Sequence, residues 1–130
     1  MPTAQGTFEV KLQPAPVDGS TGRQAVTRML IDKTFHGDFV GTGQGEMLSA
    51  GNPASGSAAY VAIDHLAGRI GELEGSFSLQ HAGLMDNGVS ELRVRIVPGS
   101  GSGGLAGIRG ELRIEIAAGV HRYTLDYTLG

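Results

Sequence analysis

Apolar and polar side chains alternate along most of this chain, which is the two-residue period of strands with one buried face. Phe8, Val10 and Leu12 alternate with Glu9 and Lys11, and Pro14 and Pro16 predict the end of this first strand, because a proline brings no N–H to a ladder. After the turn signal Asp18-Gly19-Ser20-Thr21-Gly22, Met29, Ile31, Lys33 and Phe35 share one face, with Leu30, Asp32, Thr34 and His36 on the other. Gly37-Asp38 offers the next turn. The chain then resumes from Phe39 to Leu48 with Gly41, Gly43 and Gly45 on one parity, where they permit bending and close backbone approach.

Gly51-Asn52-Pro53 punctuates the pattern before a strand from Tyr60 to Leu66, and Gly68 opens another that reaches His81. Asn87-Gly88 is a hairpin signal. Three regular strands follow, carried by Leu92, Val94 and Ile96, by Leu112, Ile114 and Ile116, and by Tyr123, Leu125 and Tyr127. No stretch combines a 3.6-residue stripe with freedom from glycine, so at most one short helical turn is expected, near Leu105-Ala106-Gly107. Strands in succession must hide their edges, and closure does so fully. The pattern predicts an all-β domain spanning residues 1–130, an antiparallel β-barrel of about eight strands with a lipocalin-like shape, its structural rival being a two-sheet sandwich.

Composition narrows the partners. Apolar residues make up 40% of the chain and the net charge is −3 with Lys and Arg scattered, which offers no footprint for nucleic acid or an anionic membrane. The apolar runs are too short to span a bilayer, and the start Met1-Pro2-Thr3-Ala4-Gln5 lacks a basic region followed by an apolar one, so a cytoplasmic location is expected. Cysteine is absent, which excludes thiolate chemistry. The 22 glycines indicate many tight turns or bulges.

The segments Ile31-Asp32-Lys33-Thr34-Phe35-His36-Gly37-Asp38, Gly45-Glu46-Met47-Leu48, Gly56-Ser57-Ala58-Ala59-Tyr60-Val61-Ala62-Ile63 and Gly75-Ser76-Phe77-Ser78-Leu79-Gln80-His81-Ala82-Gly83 resemble a widespread bacterial family of small uncharacterised proteins. The resemblance runs nearly end to end. The run from Gly99 to Gly110 is similar to that family's glycine loop and to the glycine-rich turn of plant allene oxide cyclases and dirigent proteins. It implies an eight-stranded barrel of the allene oxide cyclase type, whose characterised relatives mostly guide cyclisation or coupling of an apolar substrate without a cofactor, and which commonly assemble as dimers or trimers.

Gly99-x-Gly101-x-x-Gly104 matches a dinucleotide fingerprint in form, but no helix follows to face a pyrophosphate, so it reads as a structural loop. His36, His65, His81 and His121 form no metal-ligating spacing, and no metal or cofactor is expected. His81 shares the parity of Phe77 and Leu79 and is either a satisfied core histidine or a catalytic one. Glu46 shares the parity of Thr42 and Leu48; facing inward it would be desolvated and suited to proton transfer, facing outward merely solvated. Tyr60 either packs or donates to a carbonyl or epoxide oxygen. Lys33, between Ile31 and Phe35, is a paired structural lysine, an edge-protecting charge or a cavity amine.

The leading expectation is a cofactor-independent isomerase or cyclase acting on a small apolar substrate inside the barrel, with Glu46, Tyr60 or His81 transferring or donating a proton and Lys33, Phe35, Phe77, Leu79 and Tyr123 holding the substrate. Two alternatives remain. The same interior could bind a hydrophobic molecule without turning it over, or the barrel could be filled and act through assembly as a homo-oligomer.

Overall fold

A computed structural model describes residues 2–15 and 26–130, and the expected turn at Asp18–Gly22 lies outside them. The strands are β1 (Thr3–Ala15), β2 (Val26–Gly37), β3 (Phe39–Asn52), β4 (Ser57–Ile70), β5 (Leu73–Asp86), β6 (Val89–Ile96), the two-residue β7 (Ser102–Gly103), β8 (Arg109–Ala117) and β9 (Val120–Thr128). They pair in the order β4-β3-β2-β1-β9-β8-β6-β5-β7, and pairing of β4 with β5 closes the ring. Every described pairing is antiparallel, so the eight long strands form the expected closed barrel. No described helix is long and apolar enough to cross a membrane.

Three local expectations are corrected. β1 runs through Pro14, which sits opposite Met29 of β2; beyond Phe8 the strand has no β9 partner, and a strand paired on one side tolerates a missing N–H. Gly68 lies within β4, paired with Gly41 and Gly75, and the reversal comes at Gly71-Glu72, where Gly71 has a φ of 59°. Among the described residues the helical turn is the 3-10 segment Pro53–Ser55, capped by Asn52 Oδ1 accepting from the Ala54 N–H, because Asn-Pro supplies a cap and a preset φ. Residues Leu105–Gly107 instead form part of a tight turn that ends before Ile108.

The interior is unevenly filled. At the end where β3 and β5 begin, Phe35, Phe39, Phe77, Leu79, Tyr123 and Leu125 interlock, with Phe39 and Tyr123 each meeting Phe35 nearly edge-on. The glycine loop after β6 contains no helix. It turns back so that β7 pairs with Gly75 and Ser76 of β5, and it seats Leu105 and Ile108, both fully buried, among this cluster. Tyr123 ties the plug to the β2–β3 turn: its hydroxyl accepts the Phe39 N–H at 2.9 Å and donates to the His36 carbonyl at 2.9 Å. At the opposite end, where β3 and β5 finish, the inward side chains Leu12, Leu92 and Ile116 are exposed among the described residues.

Candidate functional site

The inward faces of β2, β4 and β5 each place one ionisable side chain midway between plug and mouth. On β2, Ile31, Lys33 and Phe35 face in; on β4, Ala62, Asp64 and Leu66; on β5, Leu79 and His81. β3 lies between β2 and β4 and presents Gly43 and Gly45 there, opposite Lys33 and Ile31 on one side and Leu66 and Asp64 on the other. With no side chains in the way, Lys33 reaches past β3. Its Nζ donates to Asp64 Oδ2 at 2.7 Å, and His81 Nε2 lies 2.9 Å from Asp64 Oδ1.

All three groups are buried: Asp64 is 0% exposed, His81 3% and Lys33 7%. Burial pushes the Asp64 carboxyl towards protonation, but the His81 hydrogen bond and the Lys33 ammonium outweigh that push and hold it below its ordinary value. Asp64 is therefore ionised at neutral pH and can only accept hydrogen bonds. This fixes Nε2 as the His81 nitrogen that donates to Asp64. Lys33 Nζ also lies 5.5 Å from the centre of the Phe8 ring, a cation–π contact on the apolar side of the group.

Above this triad the open end forms a pocket of about 250 Å³. Lys33, His81, Tyr60 and His121 are its polar lining, and Phe8, Val10, Ile31, Met47, Leu92 and Ile114 are among its apolar walls. His121 is held against Phe8, ring centres 5.1 Å apart. Tyr60 lies over Gly83 of β5, where an added Cβ would come within 2.4 Å of the Tyr60 ring. Burial, with the charge of Asp64 behind it, raises the Tyr60 hydroxyl above its ordinary value, so it stays a neutral donor. A second depression of about 420 Å³ continues from the first towards the rim and shares Met47, Tyr60, Leu92 and Ile116 with it. Among the described residues no three His, Asp or Glu side chains converge as metal ligands.

Of the residues singled out in the sequence, Lys33, Tyr60 and His81 come together at this pocket. Glu46 does not. Its side chain is 55% exposed on the outside of β3 and pairs with Arg28 there, because the inward parity of that strand belongs to Phe39, Gly43 and Met47. Phe35, Phe77, Leu79 and Tyr123 are likewise not pocket residues; they are packed into the plug. Asp64, which joins the other two charged groups, escaped the sequence reading. Its signal was there in the shared parity with Ala62, Leu66 and Ile70, but outward Val61 and Ile63 make both faces of β4 look apolar.

The profile of a family described as proteins of unknown function, DUF3224, matches residues 4–127. No curated protein matches significantly. Among solved structures, a crystal structure of a protein of unknown function from the DUF3224 family of Shewanella oneidensis MR-1 is 42% identical in sequence. The alignment covers 100% of this chain and 98% of that one, with a TM-score of 0.91.

Proposed function

The chain belongs to the DUF3224 family, and we propose that it is a cofactor-independent isomerase or cyclase that moves a proton within a small apolar molecule held in the open end of the barrel. The observation that carries this reading is Asp64, wholly buried and hydrogen-bonded to Lys33 and His81 at once beneath an apolar pocket. Burying three ionisable groups together is costly unless each is paired, so such a cluster in a concavity points to chemistry.

Each group has a distinct part. Asp64 orients the imidazole through Nε2 and leaves Nδ1 to take a proton from a substrate carbon and return it at another. The Lys33 ammonium and the Tyr60 hydroxyl stabilise the negative charge that develops when the C–H electron pair moves away from that carbon. One proton is removed and one is returned, exchanging with solvent while His81 holds it, so the reaction needs no oxidant, reductant or leaving group. The apolar walls exclude water, which strengthens these interactions.

The test is hydrogen exchange. In deuterated water, with apolar ketones, enals and epoxides as probes, the protein is expected to place deuterium at a specific carbon of at least one probe, read by NMR. His81→Ala, folded by circular dichroism, is expected to lose that labelling. Binding of probes without exchange at any position would turn the reading to a carrier.

A further inference from the structure

We infer that the molecule this pocket takes is an elongated amphiphile that enters with a carbonyl or carboxylate oxygen leading, seats that oxygen at Lys33, and lays its apolar chain back past Met47, Leu92 and Ile116 to the rim. The inference deepens the reading above, since it assumes that the same pocket is the working site.

What the buried cluster lacks is an acceptor. An ammonium carries three N–H donors and accepts nothing. Among the described residues Lys33 Nζ gives one hydrogen bond, to Asp64, although the side chain is more than nine-tenths buried and lines the pocket. Both Asp64 oxygens already accept, one from Lys33 and one from His81. Tyr60, the neutral phenol on the same wall, adds another O–H. A ligand oxygen with lone pairs satisfies these donors; an amine or a hydrocarbon end leaves them unmet.

Charge does not oppose an anion at the inner end: the Asp64 carboxylate is paired with Lys33, and Glu91, the other carboxylate nearby, lines the rim depression and not the inner pocket. The apolar part follows from shape. Polar groups sit at the inner end, while the shared walls Met47, Leu92 and Ile116 lead into the second depression at the rim. The combined space keeps Lys33 and His81 at its inner end, with Ser49, Ser90 and Glu91 at the rim.

Isothermal titration with octanoate, methyl hexyl ketone, octanol and octylamine tests this. Octanoate, the ketone or both are expected to bind roughly tenfold or more tightly than octanol, the scale of one hydrogen bond from a charged donor, with octylamine weakest. Binding of octanoate alone assigns the pocket to acids; comparable binding of the ketone assigns it to carbonyl oxygens generally. Lys33→Met is expected to erase the preference while octanol still binds, and butanoate to bind more weakly than octanoate. Should Lys33→Met fail to fold, the charge-neutral pair Lys33→Met with Asp64→Asn serves in its place. Equal affinity for octylamine and octanoate, a preference that survives removal of Lys33, or no binding of any probe overturns the inference. Head-group preference without hydrogen exchange leaves it standing and removes the isomerase reading, so the two fail separately.

Discussion

Lys33 Nζ and Asp64 Oδ2 meet at 2.7 Å although their strands are separated by β3, and both side chains are buried. Removing one member of such a pair strands the other. Asp64→Ala is expected to cost about 3–5 kcal/mol by leaving the Lys33 ammonium uncompensated in the interior. Replacing both, with Lys33→Met and Asp64→Leu, is expected to recover part of that loss, because the apolar pair carries no charge to desolvate, although His81 Nε2 still loses its acceptor. Urea unfolding of the two variants beside the parent checks this; a double variant no more stable than Asp64→Ala alone contradicts it.

The same carboxyl sets an acid limit on stability. Its folded value is lowered from the ordinary 3.8, so on acidification the unfolded chain takes up this proton first. The contribution of Asp64 is therefore complete above that ordinary value and is lost as the pH falls through its own lower one. Unfolding free energies measured from neutrality downward are expected to decline below about 4, the ordinary aspartate range, and the decline is expected to be shallower in Asp64→Asn. Parallel acid limbs in the two proteins count against the assignment.

Glu46→Gln and His81→Ala separate the outer wall from the site. The Glu46–Arg28 pair is solvent-exposed, and such pairs contribute about 0–1 kcal/mol. Glu46→Gln is expected to leave hydrogen exchange and ligand binding unchanged. His81→Ala is expected to abolish exchange while retaining the fold. Equal loss in both variants, read by the same NMR labelling, places the chemistry elsewhere.

Tyr123→Phe probes the plug. The hydroxyl accepts the buried Phe39 N–H and donates to the His36 carbonyl, so its removal leaves a backbone donor unpaired, at a cost of about 1–3 kcal/mol. Thermal unfolding reads the loss. Ligand affinity in the folded variant is expected to match the parent, since the pocket lies towards the other end of the barrel.

How much of this the sequence carried depended on what flanked each residue. Lys33 was legible because Ile31 and Phe35 mark its face as buried, and His81 because Phe77 and Leu79 do the same. On β3 the inward positions are mostly glycines, which contribute no apolar signal, so Leu48 and Thr42 stood in for the inner face and carried Glu46 with them although all three point outward. Phe35, Phe77, Leu79 and Tyr123 were correctly read as inward. Parity says which face a residue occupies but not its height along the barrel, and height is what separates plug from pocket.

Gly45→Ala tests that height directly. A Cβ at this position would stand 2.1 Å from the Ile63 carbonyl oxygen and 2.6 Å from both Cα and Cβ of Asp64. None of these atoms is the end of a flexible side chain, so β4 itself must move, and Asp64 with it. At Gly43 the added carbon would meet Leu66 Cδ1 and Cγ at 3.2 and 3.3 Å, contacts that a rotating side chain can relieve. Gly45→Ala is therefore expected to lose about 1–3 kcal/mol, the usual cost of overpacking, and Gly43→Ala less. The displacement also draws Asp64 away from Lys33 and His81, so the folded Gly45→Ala protein is expected to exchange hydrogen more slowly than Gly43→Ala. Urea midpoints and NMR labelling of both proteins decide it. If Gly45→Ala were as stable and as active as Gly43→Ala, the bare stretch of β3 would not be what lets the triad assemble.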